Sequence, residues 1–200
     1  MAIKSNVKDF LQVIQQGVRP NLFLVDIKFP STSALGLPNS SDPNAELVNI
    51  LCKSAALPAS NLGVIEVPFR GRTVKIAGDR TFDTWTATFI NDKDFKIRHF
   101  MERWMRAINA HEGNTAEVIV PNNSAGYTAD LAVKQLERDV TEGGSVIREY
   151  SLWGCFPTNI SQIDLAYDSN DQIEDFTVEF QLQYWQVEDA KKGRSPGAVL

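Results

Sequence analysis

Alternation of apolar and polar side chains runs through most of the chain, and helical spacing breaks in clearly once. Phe176, Val178, Phe180, Leu182 and Tyr184 alternate with Thr177, Glu179, Gln181 and Gln183. That pattern predicts a strand with one core face and one face turned to water or to a polar partner. Trp85, Ala87 and Phe89 fall on one side of a second predicted strand, with Thr84, Thr86 and Thr88 on the other. Val64 to Ile76 reads as a hairpin. Ile65, Val67 and Phe69 make one apolar stripe before Arg70-Gly71-Arg72, and Val74 and Ile76 make another after it. Pro68 argues for an edge position, because proline cannot donate to a ladder. Leu131–Val140 and Val146–Trp153 flank Thr141-Glu142-Gly143-Gly144-Ser145, a second hairpin signal. Further strands are expected over Leu22–Phe29, buried on both faces near its start, over Leu47–Ser54 and over Ile163–Tyr167. The stretch Trp153–Asn159 ends its strand in a corner.

Helical spacing is clearest from about Asp94 to Ala110. There Ile97, Phe100, Met101, Trp104, Met105 and Ile108 share a wide apolar face that must cover a sheet. Asp92 or Asp94 can cap its start. Val7, Phe10, Leu11 and Ile14 suggest a shorter helix over residues 5–16, ended by Gly17. Three stretches lack periodicity: an extended loop at 30–45, a loop-rich region at 114–130 and a polar tail at 189–200. The expected fold class is mainly β. Two packed antiparallel sheets form a barrel-like sandwich with one long flanking α-helix, in a single domain over residues 1–200.

Composition narrows the function classes. The 200 residues carry 20 Lys and Arg against 25 Asp and Glu, a net charge of −5. That balance argues against tight, permanent binding to phosphate backbones. Cys52 and Cys155 stand far apart, without zinc or disulfide spacing, and read as small buried thiols made in a reducing compartment. The first ten residues lack the pattern of a secretory signal, and no apolar run reaches the length of a membrane helix, so no membrane insertion is expected.

Candidate chemistry is sparse. His99 and His111 belong to no metal-ligand spacing, and the phosphate-cradling glycine motifs and the G-x-S-x-G elbow are absent. Asp168-Ser169-Asn170-Asp171-Gln172-Ile173-Glu174 resembles a calcium loop faintly, but lacks its glycine and its spacing. A turn built from Asx residues is the simpler reading. The stretch Ala77–Trp85 is the densest in the chain. Gly78 offers a sharp bend, and Asp79, Arg80 and Asp83 offer a turn locked by a charge-assisted hydrogen bond rather than a catalytic cluster. Arg70 and Arg72 at a hairpin tip are either solvated or contact an acidic partner surface. No enzyme, cofactor or metal site is expected.

Taken together, these residues resemble the tail tube protein family of contractile-tailed, T4-like bacteriophages. Gly78-Asp79-Arg80-Thr81-Phe82-Asp83 with Trp85 and Asn91-Asp92 is similar to the family's central signature. Arg19-Pro20-Asn21-Leu22-Phe23 resembles the start of its first strand, and Cys52-Lys53-Ser54-Ala55 with Leu57-Pro58-Ala59 the end of its second. Leu152-Trp153-Gly154 and Phe156-Pro157-Thr158-Asn159 resemble its Trp-Pro-Thr-Asn corner, with residues inserted between Trp and Pro. Asp168-Ser169-Asn170, Gln172-Ile173 and Tyr184-Trp185 complete an ordered set spanning residues 19–185.

The resemblance implies a virion structural protein, assembled in the host cytoplasm into hexameric rings. The rings would stack into a hollow tube through a heterologous interface that does not close. It further implies a sheath protein outside, a baseplate as origin, a tape-measure protein in the lumen and phage DNA in transit without specific binding. Thr177, Glu179, Gln181 and Gln183 are then expected to face the lumen, where Glu179 would repel phosphates. Arg70 and Arg72 are expected at an inter-ring or sheath contact. The alternatives are the tube of a phage-like contractile injection or type VI secretion system or, in a different class, a monomeric β-barrel ligand-binding module. The loops at 30–45 and 114–130 and the tail after Trp185 depart from shorter family members.

Overall fold

In the computed structural model the described residues are 17–30, 37–38, 43–118, 126–137 and 146–188, with Val7, Phe10 and Ile14. They form strands β1 (Phe23–Ile27), β2 (Cys52–Ala55), β3 (Asn61–Phe69), β4 (Arg72–Thr81), β5 (Trp85–Ile90), β6 (Ala129–Leu136), β7 (Val146–Ile160), β8 (Asp175–Gln181) and β9 (Tyr184–Glu188). Helices α1 (Pro43–Ile50) and α2 (Lys96–Ile108) complete the set.

Every strand pairing is antiparallel. One sheet path runs β1-β6-β7-β8-β5-β2, with β9 on β7, while among the described residues β3 and β4 pair only with each other. Strand β7 makes the two sheets one object. Its first part pairs with β6 and β9, and its last part, from Phe156, pairs with β8. The switch comes at Gly154, whose φ of +64° is left-handed and whose N–H donates to the Asp130 carboxylate at 3.0 Å. The barrel is not closed, because β1 and β2 end the path without meeting.

The predicted alternation explains the core. Trp85, Ala87 and Phe89 of β5 face Phe176, Val178 and Phe180 of β8, and all six are buried. Val25, Ile27, Leu131, Val133 and Leu152 supply the other wall. Helix α2 closes the sandwich with Ile97, Met101, Trp104 and Ala107. The Trp104 ring lies 5.8 Å from Phe29 and 6.2 Å from Phe180, and its Nε1–H donates to the Tyr127 carbonyl at 2.6 Å. A left-handed Phe95 precedes the helix without capping it; instead the Asp92 carboxylate accepts the Ile97 N–H at 3.2 Å.

Several expectations change. Residues Leu47–Ile50 are helical, and only Cys52–Ala55 of the expected strand is extended. Leu47, Val48 and Leu51 share a helical face, Val48 is fully buried, and Pro43 suits the first helical position. The 30–45 loop therefore ends before Pro43. Ile163–Tyr167 is not a strand. Leu24 is exposed, so β1 is buried on one face only. The last strand stops at Gln181, and Tyr184 begins β9 on the other sheet. Of the 5–16 helix, Val7, Phe10 and Ile14 have helical backbone; its other residues lie outside the described set. So do the Gly143-Gly144 turn, most of the 30–45 loop, residues 119–125 and the tail 189–200.

Candidate functional site

The hairpin is longer than its sequence pattern suggested, from Asn61 to Thr81, and turns at two left-handed residues, Arg70 (φ +45°) and Gly71 (φ +82°). Two consecutive left-handed residues make a tight two-residue hairpin loop that continues the twist of its strands. Register sets the chemistry of its faces. Ile65 pairs with Ile76 and Val67 with Val74, so these four and Phe69 share one face. The opposite face carries the Glu66–Lys75 pair at 3.8 Å, Pro68 and Thr73. The apolar face is between 42% and 61% exposed, residue by residue. A two-stranded ribbon is marginal alone in water, and here five large side chains lie uncovered on one side of it.

The signature residues form the base of this hairpin. Gly78 does not make the expected bend; it lies inside β4. Its role is close approach, since a Cβ there would stand 3.1 Å from the Gly63 carbonyl carbon, beside the bulge between Leu62 and Val64. Asp79 and Arg80 extend β4, and no ion pair joins Arg80 to Asp79 or Asp83 among the described residues. Asp83 instead accepts from the Asn61 amide at 2.6 Å, tying the hairpin's two legs. Trp85 and Trp185 hold the connector that leads into β3. Their indole N–H groups donate to the Ala56 carbonyl at 2.6 Å and the Ala59 carbonyl at 2.9 Å. The Phe82 ring packs against Trp185 at 6.4 Å.

The polar face of β8 is as patterned. Thr177, Glu179 and Gln181 are half-buried and alternate with the core side chains. Thr86 and Thr88 lie beside Glu179 and Thr177, and the two hydroxyls of Thr88 and Thr177 stand 3.1 Å apart. Gln183 lies past the strand end, with its Cγ above Gly154.

The connection from β7 to β8, residues 161–174, was missed by periodicity. Its Ile-x-Leu-x-Tyr alternation imitates a strand, but Leu165 is 80% exposed, Ile173 is 76% exposed and Tyr167 is fully exposed. The segment contains Asp164, Asp168, Asp171 and Glu174 and no basic residue. That one-signed charge was the signal available in the sequence.

Burial pushes the Cys52 thiol up to about 12, against a weaker opposing backbone hydrogen bond at Ser54. Burial, then the Asp130 charge, pushes Cys155 up to about 12. His99 and His111 line a surface cleft of about 440 Å³ with Glu102, Arg103, Arg106 and Glu117. No group of His, Cys, Asp and Glu among the described residues could hold a metal ion, and no helix there is long and apolar enough to cross a membrane.

Comparison with known proteins points one way. A family model described as phage tail tube protein matches residues 18–188. The chain is 35% identical over 182 residues to tail tube protein gp19 of Enterobacteria phage T4, covering 90% of this chain and 99% of that one. It is 30% identical over 186 residues to a tail tube protein of Serratia phage KSP90, covering 92% and 96%. Among solved structures it resembles a chain of the anti-feeding prophage baseplate, with TM-score 0.58, 16% identity and coverage of 85% and 94%. It also resembles a chain of the sheath–tube complex of an extracellular contractile injection system, with TM-score 0.53, 12% identity and coverage of 93% and 99%. At such identities the two structures speak to the fold alone.

Proposed function

The chain belongs to the phage tail tube protein family, and from that premise we propose that it acts as a structural subunit whose copies form hexameric rings stacked into a hollow tube. The observation that carries this reading is the hairpin's uncovered apolar face. Among the described residues nothing pairs with β3 or β4 beyond each other, and a neighbouring copy supplies what is missing. The open edges of β1 and β2 favour the same outcome, since joining sheets between copies removes exposed edges.

Outside the tube we place a sheath protein, at its origin a baseplate, and in its lumen first a tape-measure protein and then DNA in transit. The face of Thr177, Glu179 and Gln181 suits the lumen wall. These three side chains carry a hydroxyl, a carboxylate and an amide and no positive charge of their own, and Asp175 at the end of the same face is paired with Lys53, which leaves a polyanion little to hold. Arg70 and Arg72 suit a contact with the next ring. The role is mechanical rather than enzymatic.

Negative-stain microscopy of concentrated protein, with and without preformed tube seeds, is expected to reveal annuli and open tubes. A Val67→Asp, Phe69→Asp variant is expected to remain monomeric and folded. A uniform wild-type monomer under both conditions would overturn the reading. For the lumen, Glu179→Gln is expected to leave assembly intact and to slow genome release, and an unchanged release rate would remove the electrostatic role.

A further inference from the structure

Topology places the hairpin and the 161–174 connection at opposite ends of one strand. The hairpin legs leave the body beside Trp85, the first residue of β5, where the Trp85 indole holds the Ala56 carbonyl. The acidic connection meets the body at the other end of β5. There Ile90 pairs with Asp175, and the backbone and side-chain amides of Asn91 donate to Glu174 at 2.9 and 3.0 Å. Strand β5 has six residues, which separates the two features by roughly 17 Å along the strand.

The two surfaces are complementary in both charge and polarity. The hairpin tip is basic, with Arg70 and Arg72 flanking the turn, and neither has an acidic partner among the described residues. The 161–174 connection has no basic residue, and Asp164, Asp168 and Asp171 have no cationic partner among the described residues. Behind the tip arginines lies an uncovered apolar face. Among the acids stand the exposed side chains Leu165, Tyr167 and Ile173. Each surface is costly to leave in water, and each offers what the other lacks.

Resting on the stacked assembly proposed above, we infer that the 161–174 connection is the receiving surface for the hairpin of the next copy. Phe69 and its apolar neighbours cover Leu165, Tyr167 and Ile173, and Arg70 and Arg72 reach Asp168 and Asp171. The occupant is a second copy of this chain. Two different patches at opposite poles make the contact heterologous, so it repeats without closing.

Charge reversal tests this directly. Arg70→Glu with Arg72→Glu, and separately Asp168→Lys with Asp171→Lys, alter exposed side chains and are expected to leave the monomer's melting temperature unchanged. Each variant alone is expected to raise the critical concentration for tube formation about tenfold or more. An equal mixture of the two is expected to polymerise, because the reversed tip of one meets the reversed connection of the other. Oxidation of a Phe69→Cys, Tyr167→Cys chain is expected to give a ladder of disulfide-linked oligomers. Wild-type protein that never forms rings or tubes overturns both this contact and the stacked assembly. Tubes that form as readily from the Asp168→Lys, Asp171→Lys chain, with no rescue by mixing, overturn this contact and leave the stacked assembly standing.

Discussion

Gly154 is the residue on which the sandwich bends. Its φ of +64° favours glycine, and an added Cβ would stand 2.8 Å from Gln183 Cγ. Gly154→Ala is expected to destabilise the monomer by about 1–2 kcal/mol, read by urea unfolding. Trp85→Phe removes the indole that holds the Ala56 carbonyl and is expected to cost about 1–2 kcal/mol by the same measurement. The two thiols, Cys155 buried and Cys52 half-buried, set an alkaline limit. Cys52 and Cys155 keep their protons in the folded chain up to about 12, whereas the unfolded chain loses them near 9.0. Above pH 9 the unfolded state therefore binds fewer protons. Their contribution to stability is complete below pH 9 and declines as pH rises towards 12. Unfolding midpoints between about pH 8 and about pH 11 are expected to fall, with a shallower fall in a Cys52→Ala, Cys155→Ala chain. At this scale the sequence pattern located burial better than local backbone geometry. Trp85 is an anchor, as its pattern suggested. Gly78 matters for backbone approach across a strand pair rather than for a bend, and spacing cannot distinguish the two because both need a missing side chain.

Among the elements, the hairpin carries the most unmet packing. Its five apolar side chains are about half exposed, and covering them is worth on the order of 5 kcal/mol per copy. In the free subunit, amides of β3 and β4 are expected to exchange with deuterium much faster than those of β5 and β8, and to become protected on assembly. Equal protection in both states would mean that the hairpin stays uncovered in the polymer. Strands with one buried face were legible because burial imposes period two; β5 and β8 are the clearest cases. Helix α1 was not, because eight residues hold little more than two turns and Leu47, Val48 and Leu51 fit a short strand as well as a helix. The Ile163–Tyr167 alternation imitates a strand, but no strand among the described residues pairs with it. Alternation reports which side chains share a side, not whether a neighbour is there to pair.

At the scale of the whole molecule, strand order and antiparallel pairing place its unsatisfied surfaces at two poles. The family was legible in the ordered motifs from Arg19 to Trp185, which include the close approach at Gly78, the anchor at Trp85 and the bend at Gly154. The placement of these surfaces was not legible, since the opposition of the hairpin and the 161–174 connection appears only once β5 is seen to separate them. The β7 ribbon has a mechanical consequence. It runs unbroken for 15 residues through both sheets, so an axial pull on one wall reaches the other through covalent backbone and through hydrogen bonds loaded side by side in shear. The two walls cannot peel apart by sliding over their greasy interior. A subunit built this way yields, under tension, only when a whole ladder gives at once.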